Sequence, residues 1–365
     1  MGRFGGELLA RLTEWDHGGG PPGSCDLDSS TTINPLGPPF SMELLWKSLS
    51  KHLAFYPDPY SEKIQRALAS FYAVPPANVL PGAGATALLY RLFETFRPAR
   101  ILLPEPVFSE YPRAGEVFGI PMVFVRPGVP AHHSPWPVDP GFSGVIKQAR
   151  RGDLVVLVNP VNPTGEEFSR ESLHALGEML LLKGAFLLID ESFQDFIGSR
   201  SSVLPLWDGV FSSFFVLKSF TKISGLAGIR TGVLFGPEGI LSVIRQGMGP
   251  WSLGLLEQEV IVQLIENHQK SLEQCVAIES LLEELSGFFV MKNIPVSRGA
   301  GPFLLVRTGW GDRAGEIARQ SLEHFGVRLR VASGFGPPDG RDWIRIGFQG
   351  LTDPLRMVRT IEKLS

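Results

Sequence analysis

Apolar and polar positions divide the chain into regions with different periods. Over residues 1–45, Gly, Pro and Ser predominate and only 7–15 shows helical spacing, so this segment predicts an arm laid over another part of the molecule. From Met42 onward, helical patterns alternate with short apolar runs. Residues 61–72 and 86–96 repeat apolar side chains at helical spacing, whereas 101–103, 122–125, 154–158, 185–189 and 214–217 are continuously apolar. Short apolar runs separated by helices predict an α/β fold with a mostly parallel sheet, buried on both faces and flanked by helices. Past Gly247 the stretch 255–285 predicts one long helix joining two lobes. After it, 303–306, 313–325, 327–331, 343–346 and 353–364 alternate strand and helix as a smaller α/β lobe. The expected organisation is an arm over 1–45, a large domain over 46–248 and a small C-terminal domain over 249–365 that includes the linking helix.

Composition narrows the function classes. The 365 residues, 44% of them hydrophobic, suffice for a large core. A net charge of -3, from 34 basic and 37 acidic residues, supplies no bulk field for nucleic acid or an anionic membrane. The most apolar stretch, 179–189, is split by Lys183 and Gly184 and falls short of the ~20 residues a membrane span needs. No apolar signal core follows Met1. Cys25 and Cys275 form no CxxC pair, so neither a disulfide framework nor a metal site is expected, in keeping with a reducing cytoplasm.

An open α/β sheet binds its ligand at the carboxyl ends of its strands, so the residues after each run carry the chemistry. Ser219-Phe220-Thr221-Lys222 follows the run 214–217, and Gly225, Gly228 and Arg230 come just after. A lysine amine with two hydroxyls and a guanidinium nearby suits a covalent, phosphate-bearing cofactor: the amine forms an imine with an aldehyde, and the donors hold a phosphate. Asp190 closes the run 185–189, where a carboxylate is costly to bury without a partner such as a protonated pyridine nitrogen. Asn162 lies in Asn159-Pro160-Val161-Asn162-Pro163-Thr164-Gly165, whose X-Pro steps force a turning, extended backbone. Gly82-Ala83-Gly84-Ala85-Thr86 runs straight into a helix and forms an anion cradle of backbone N–H groups. The same residues fit a relaxed dinucleotide fingerprint with Glu105 as its acidic residue, a hydride-transfer alternative that leaves Lys222, Asp190 and Arg230 unexplained. Ser219-x-x-Lys222 also matches a serine-acylase pattern, but no SxN element follows, and Arg230-Thr231-Gly232 is a poor KTG.

Taken in order, these motifs resemble the fold-type I pyridoxal 5'-phosphate (PLP) family of aspartate aminotransferase relatives, over nearly the whole chain. The resemblance implies PLP as cofactor, with Lys222 as the catalytic lysine and Gly84, Ala85, Thr86, Ser219, Thr221 and Arg230 around its phosphate. It further implies Phe108 stacked on the ring, Asn162 and Asp190 on ring substituents, and Tyr56 reaching a partner subunit's cofactor in a homodimer. Arg345 in Ile344-Arg345-Ile346-Gly347 matches the arginine that grips a substrate carboxylate. Two branches of the family are similar: histidinol-phosphate aminotransferases and L-threonine-O-3-phosphate decarboxylases of cobalamin synthesis. His17-Gly18-Gly19-Gly20, Ile33-Asn34-Pro35-Leu36-Gly37 and Pro250-Trp251-Ser252-Leu253 resemble the decarboxylase branch. So does Phe193, where transaminases of this group usually carry a tyrosine. Gly20, Thr32 and Gly254 depart from that branch, each standing where it usually has asparagine. The resemblance thus implies a small phosphorylated amino acid or amine as substrate, bound by His17, Asn34, Asn162, Arg330 and Arg345. A PLP-binding transcriptional sensor would need a helix-turn-helix segment, for which residues 1–45 hold too little helix.

Overall fold

The computed structural model describes residues 18–126, 142–206, 213–308, 313–335, 342–347 and 353–364. The helical pattern at 7–15 lies outside them. In chain order the strands are β1 (Leu27–Asp28), β2 (Val79–Gly82), β3 (Ile101–Pro104), β4 (Met122–Val125), β5 (Leu154–Val158), β6 (Phe186–Asp190), β7 (Phe214–Ser219), β8 (Gly232–Phe235), β9 (Val296–Arg298), β10 (Leu304–Arg307), β11 (Val327–Arg328), β12 (Arg330–Val331) and β13 (Trp343–Ile346). The helices that position the site are α1 (Glu62–Tyr72), α2 (Ala85–Phe96), α3 (Glu110–Phe118), α4 (Phe220–Ile223), α5 (Leu255–Glu266) and α6 (His268–Met291).

Seven strands form one mixed sheet in the order β2-β8-β7-β6-β5-β3-β4. The five from β7 to β4 are parallel, and β8 is antiparallel to both its neighbours. The continuous apolar runs are explained by burial on both faces. Leu154, Val156, Leu188, Phe215 and Leu217 pack into one apolar layer, while Val155, Leu157, Leu187, Ile189, Phe214 and Val216 point into the other. Each such side chain contributes ~1.5–3 kcal/mol relative to exposure. The edge strand β2 contains Pro81, which an edge tolerates because it lacks one row of ladder bonds.

The stretch 255–285 is two helices rather than one. They break at Asn267 (φ -105, ψ 24), whose backbone N–H and side-chain Nδ2 both donate to Gln263 O, at 3.0 and 2.9 Å. The run 327–331 also divides. Val327–Arg328 pairs in parallel with β1 of the arm, while Arg330–Val331 joins the antiparallel sheet β12-β13-β10-β9 of the small C-terminal lobe. The arm bridges both lobes: Gly347 N donates to Ser29 O (2.8 Å), and Asn34 N donates to Lys222 O (2.9 Å). No helix among the described residues is long and apolar enough to cross a membrane.

Candidate active site

A cavity of about 240 Å³ opens at the carboxyl ends of β5, β6 and β7, closed by the small lobe on one side and by the arm. Four basic side chains, Lys222, Arg230, Arg330 and Arg345, and two acidic ones, Glu110 and Asp190, line it. That surplus of positive charge suits anionic ligands.

The alternation along β6 and β7 selects what reaches the cavity. Asp190, Leu217 and Ser219 face it, as do Thr221 and Lys222 from the turn of α4 that follows. Ser219 Oγ and Thr221 Oγ1 lie 2.8 Å apart. Lys222 is half-buried, with Nζ 4.9 Å from the Phe193 ring centroid. Burial pushes its amine down from 10.5 to about 8; Arg230 and Arg345 act in the same direction, and Asp190 opposes them. The buried Asp190 carboxylate accepts the Tyr111 phenol on Oδ2 and the Ser192 N–H on Oδ1 at 2.8 Å. Tyr111 escaped the sequence reading, although it stands three residues after Phe108 and therefore one helical turn along the same segment. Burial and the neighbouring Asp190 hold its phenol well above the ordinary range, so it acts as a donor.

α2 begins at Ala85, and the residue before it, Gly84, has φ +93, which a side chain rarely adopts. On the adjoining strand, a Cβ at Gly232 would stand 2.7 Å from Ala85 N. Two glycines thus set the helix N-terminus beside Arg230, whose Nη2 would lie 3.1 Å from a Cβ at Gly84. Phe108 lines the same cavity and meets Tyr111 edge-on at 6.2 Å.

From the small lobe come Arg330 and Arg345, buried and directly opposed as partners across β12 and β13. Arg345 Nη1 donates to Asn162 Oδ1 at 2.8 Å, and Nη2 donates to Ser30 O at 2.6 Å. Both guanidinium groups stack over the Phe335 ring, at 4.5 and 5.3 Å. Like charges facing each other across a ladder repel, so this pair favours an anion between them.

Among the described residues, Asn34 and Tyr56 do not line this cavity; for Tyr56 the expectation is a partner subunit's cofactor. The Asn34 amide is engaged outside the cavity: its Nδ2 donates to Ile223 O and Gln274 Oε1, both at 2.9 Å, and its Oδ1 accepts from Leu36 N at 2.9 Å. Tyr56 is 82% exposed, stacked 4.7 Å from Trp251 outside its own chain's cavity. His17 lies outside the described residues. The dinucleotide alternative fails on topology, because β2 pairs antiparallel with β8 and is remote from β3 in the sheet. Glu105 pairs with Arg126 at 3.2 Å, away from the cavity.

A family model for aminotransferase class I and II matches residues 41–360. A Caldanaerobacter subterraneus protein provisionally named a threonine-phosphate decarboxylase is 27% identical over 92% of this chain and 89% of its own length. A histidinol-phosphate aminotransferase of Akkermansia muciniphila is 26% identical over 91% of this chain and 87% of its own length. The structure of a Sinorhizobium meliloti histidinol-phosphate aminotransferase with bound PLP superposes with a TM-score of 0.80 at 19% identity, covering 92% of this chain and 90% of that one. With a match that spans most of its length and a sheet of the same fold, the chain belongs to the class I and II aminotransferase family and is an enzyme that uses PLP.

Proposed function

We propose that this enzyme is an L-threonine-O-3-phosphate decarboxylase, which releases CO2 and leaves (R)-1-aminopropan-2-yl phosphate for cobalamin biosynthesis. The residues present fit PLP. An amine pushed down to about 8 stands among donors suited to a phosphate, and the Gly84 and Gly232 backbones leave the room that a Cβ would fill. Lys222 carries the cofactor, and Ala85, Thr86, Ser219, Thr221 and Arg230 hold its phosphate beside Gly84. Asp190 serves the ring nitrogen, Asn162 a ring substituent, and Phe108 the ring face. When bound, PLP supplies an aldehyde that captures an amine and a ring that accepts the electron pair of a broken bond.

The observation that carries the choice of reaction is Phe193. Its buried ring, edge-on to Phe303 at 5.4 Å, presents an apolar surface 4.9 Å from Lys222 Nζ, where a transaminase of this group usually has a phenol. Arg330 and Arg345 hold the two anionic ends of the substrate, with His17 of the arm as a further partner for its phosphate. Lys222 then returns a proton to the carbon that has lost its carboxylate. The second reading is histidinol-phosphate transamination, in which Lys222 instead removes the proton from that carbon. It is favoured by the near-equal likeness to the Akkermansia enzyme. Tyr56 and the exposed Phe55 and Trp251 beside it belong to a homodimer contact through which Tyr56 reaches the partner's cofactor.

Each substrate offered to the holoenzyme, with CO2 release and the cofactor spectrum followed together, tests this reading. Stoichiometric CO2 from L-threonine phosphate is expected. Conversion to the pyridoxamine form without CO2 would overturn it in favour of transamination.

A further inference from the structure

The face of β7 turned away from the cavity carries a group of ionisable side chains that the proposed chemistry does not use. Lys218, the residue before Ser219, is 0% exposed, and its Nζ lies 2.9 Å from Asp195 Oδ1 and 3.4 Å from Glu191 Oε2. The Tyr72 ring of α1 sits 5.5 Å from the same nitrogen. Glu191, equally buried, also accepts from Ser202 Oγ at 2.7 Å and from Val203 N at 2.9 Å. Cys275 Sγ reaches Asp195 O at 3.3 Å. The lysine's partners and Tyr72 together favour its charged form despite burial.

The other side chains on this face, Phe214 and Val216 of β7 and Leu187 and Ile189 of β6, are apolar. Aliphatic residues at 191, 195 and 218 together would therefore pack without the cost of taking charges out of water, whereas one at 218 alone would leave both carboxylates without their cation. The placement of the charges shows what the apolar alternative lacks. Glu191 follows Asp190, Asp195 follows Phe193 by two residues, and Lys218 precedes Lys222 by four. The backbone bond from Glu191 N to Leu217 O, 2.8 Å, marks the end of the ladder between β6 and β7. Beyond it the two segments separate, one toward Phe193 and one into α4. Lys218 ties them again from behind through directional, charged bonds, where apolar contact would allow the segments to slide.

We propose that Lys218 is a positioning residue: by holding Glu191 and Asp195 it fixes Asp190 and Phe193 relative to Lys222. The proposal rests on the assignment of Lys222 and Asp190 to the cofactor.

The test uses full-length holoenzyme carrying K218R, D195N or the charge-free combination K218M/E191Q/D195N. Three quantities are read: the melting temperature, the pH midpoint of the bound cofactor's absorbance, and kcat and KM separately. A misplacement of about 1 Å in an active site lowers turnover on the order of a hundredfold. The charge-free variant is therefore expected to bind PLP with a displaced pH midpoint and a kcat reduced about ten- to a hundredfold at nearly unchanged KM. K218R, which keeps the cation, is expected to leave both near their wild-type values. D195N removes the most accessible carboxylate but leaves Lys218 paired with Glu191, and it is expected to displace the midpoint at a nearly unchanged melting temperature. It decides the matter should the charge-free variant not fold. A wild-type midpoint and kcat in the charge-free variant, or a wild-type midpoint in D195N, would overturn the proposal. Loss of the cofactor band's dependence on Lys222 itself, seen as the same band in K222M, would instead overturn the underlying assignment.

Discussion

Replacing Lys222 by Met should stabilise the cofactor-free protein at neutral pH. The amine is displaced from 10.5 to about 8, chiefly by burial. At ~1.4 kcal/mol per unit this corresponds to ~3 kcal/mol, which partial solvent access reduces to about 2 kcal/mol. Below pH 8 both folded and unfolded chains carry the ammonium, and the folded state bears the whole penalty of holding it in the cavity. Between about 8 and 10.5 the unfolded chain binds a proton that the native state has released, so native stability rises with pH across this window. Above it the penalty is gone. Methionine fills a similar volume without charge and has no penalty at any pH. Urea denaturation of the two apo-proteins at pH 7 and at pH 10.5 reads the effect as a midpoint difference at constant slope. Tyrosines and cysteines that titrate at the higher pH are common to both proteins and cancel. The expected advantage of K222M is about 2 kcal/mol at pH 7 and close to zero at pH 10.5. A K222M protein no more stable than wild type at pH 7, or an advantage independent of pH, would refute the argument. Addition of PLP should reverse the order, since only wild type gains the covalent cofactor.

Phe193→Tyr places a hydroxyl in the buried space beside Phe303, where an unmet donor costs about 1–3 kcal/mol. The apo-protein is expected to melt lower and to recover with PLP, with less CO2 released per turnover; equal losses in apo and holo forms would show that the hydroxyl finds no partner on the cofactor. Gly232→Ala would put a methyl group 2.7 Å from Ala85 N and 2.9 Å from both Gly84 C and Lys218 O, all backbone. The helix N-terminus must shift, and fluorescence titration should show PLP affinity lowered by about tenfold or more, a loss of roughly 1.4 kcal/mol. Asn34→Ala removes buried hydrogen bonds worth about 1 kcal/mol each. It is expected to lower the melting temperature while leaving KM within about twofold, and a large rise in KM would return Asn34 to the substrate.

The sheet was legible because its strands are buried on both faces. Leu154–Val158 and Met122–Val125 have the boundaries that the apolar runs predict. Strands β2 and β8 were not, because Val79–Gly82 is interrupted by Pro81 and Gly232–Phe235 opens on a glycine in the glycine-containing segment after Lys222. Such residues mark a loop as readily as a strand. The helix break at Asn267 was equally hidden, since one asparagine within an otherwise helical pattern is weak evidence until its amide is seen on Gln263 O. In the cavity, the strand-end rule pointed to Asp190, Asn162 and Lys222 because the rule depends only on where a run stops. The orientation of the Asn34 amide was not legible because a sequence motif does not say which way a side chain turns. Tyr111 and Lys218 were missed for related reasons: the first acts through Asp190, and the second lies on the rear face.

Arg345 shows how the three regions of the chain become one site. Its guanidinium leaves β13 of the small lobe and donates to Asn162 Oδ1 of the large lobe and to Ser30 O of the arm. Both acceptors are neutral, and a carboxylate makes bonds to arginine roughly twice as strong. On the proposed reading, an arriving substrate carboxylate therefore displaces one or both of them. The same exchange would release the Asn162 side chain of the large lobe and the Ser30 carbonyl of the arm, so on that reading one side chain of the small lobe would link substrate binding to both. The coupling requires the planar fork: a lysine at 345 has a flexible, single-point charge that cannot hold two acceptors and then exchange them for the two oxygens of a carboxylate.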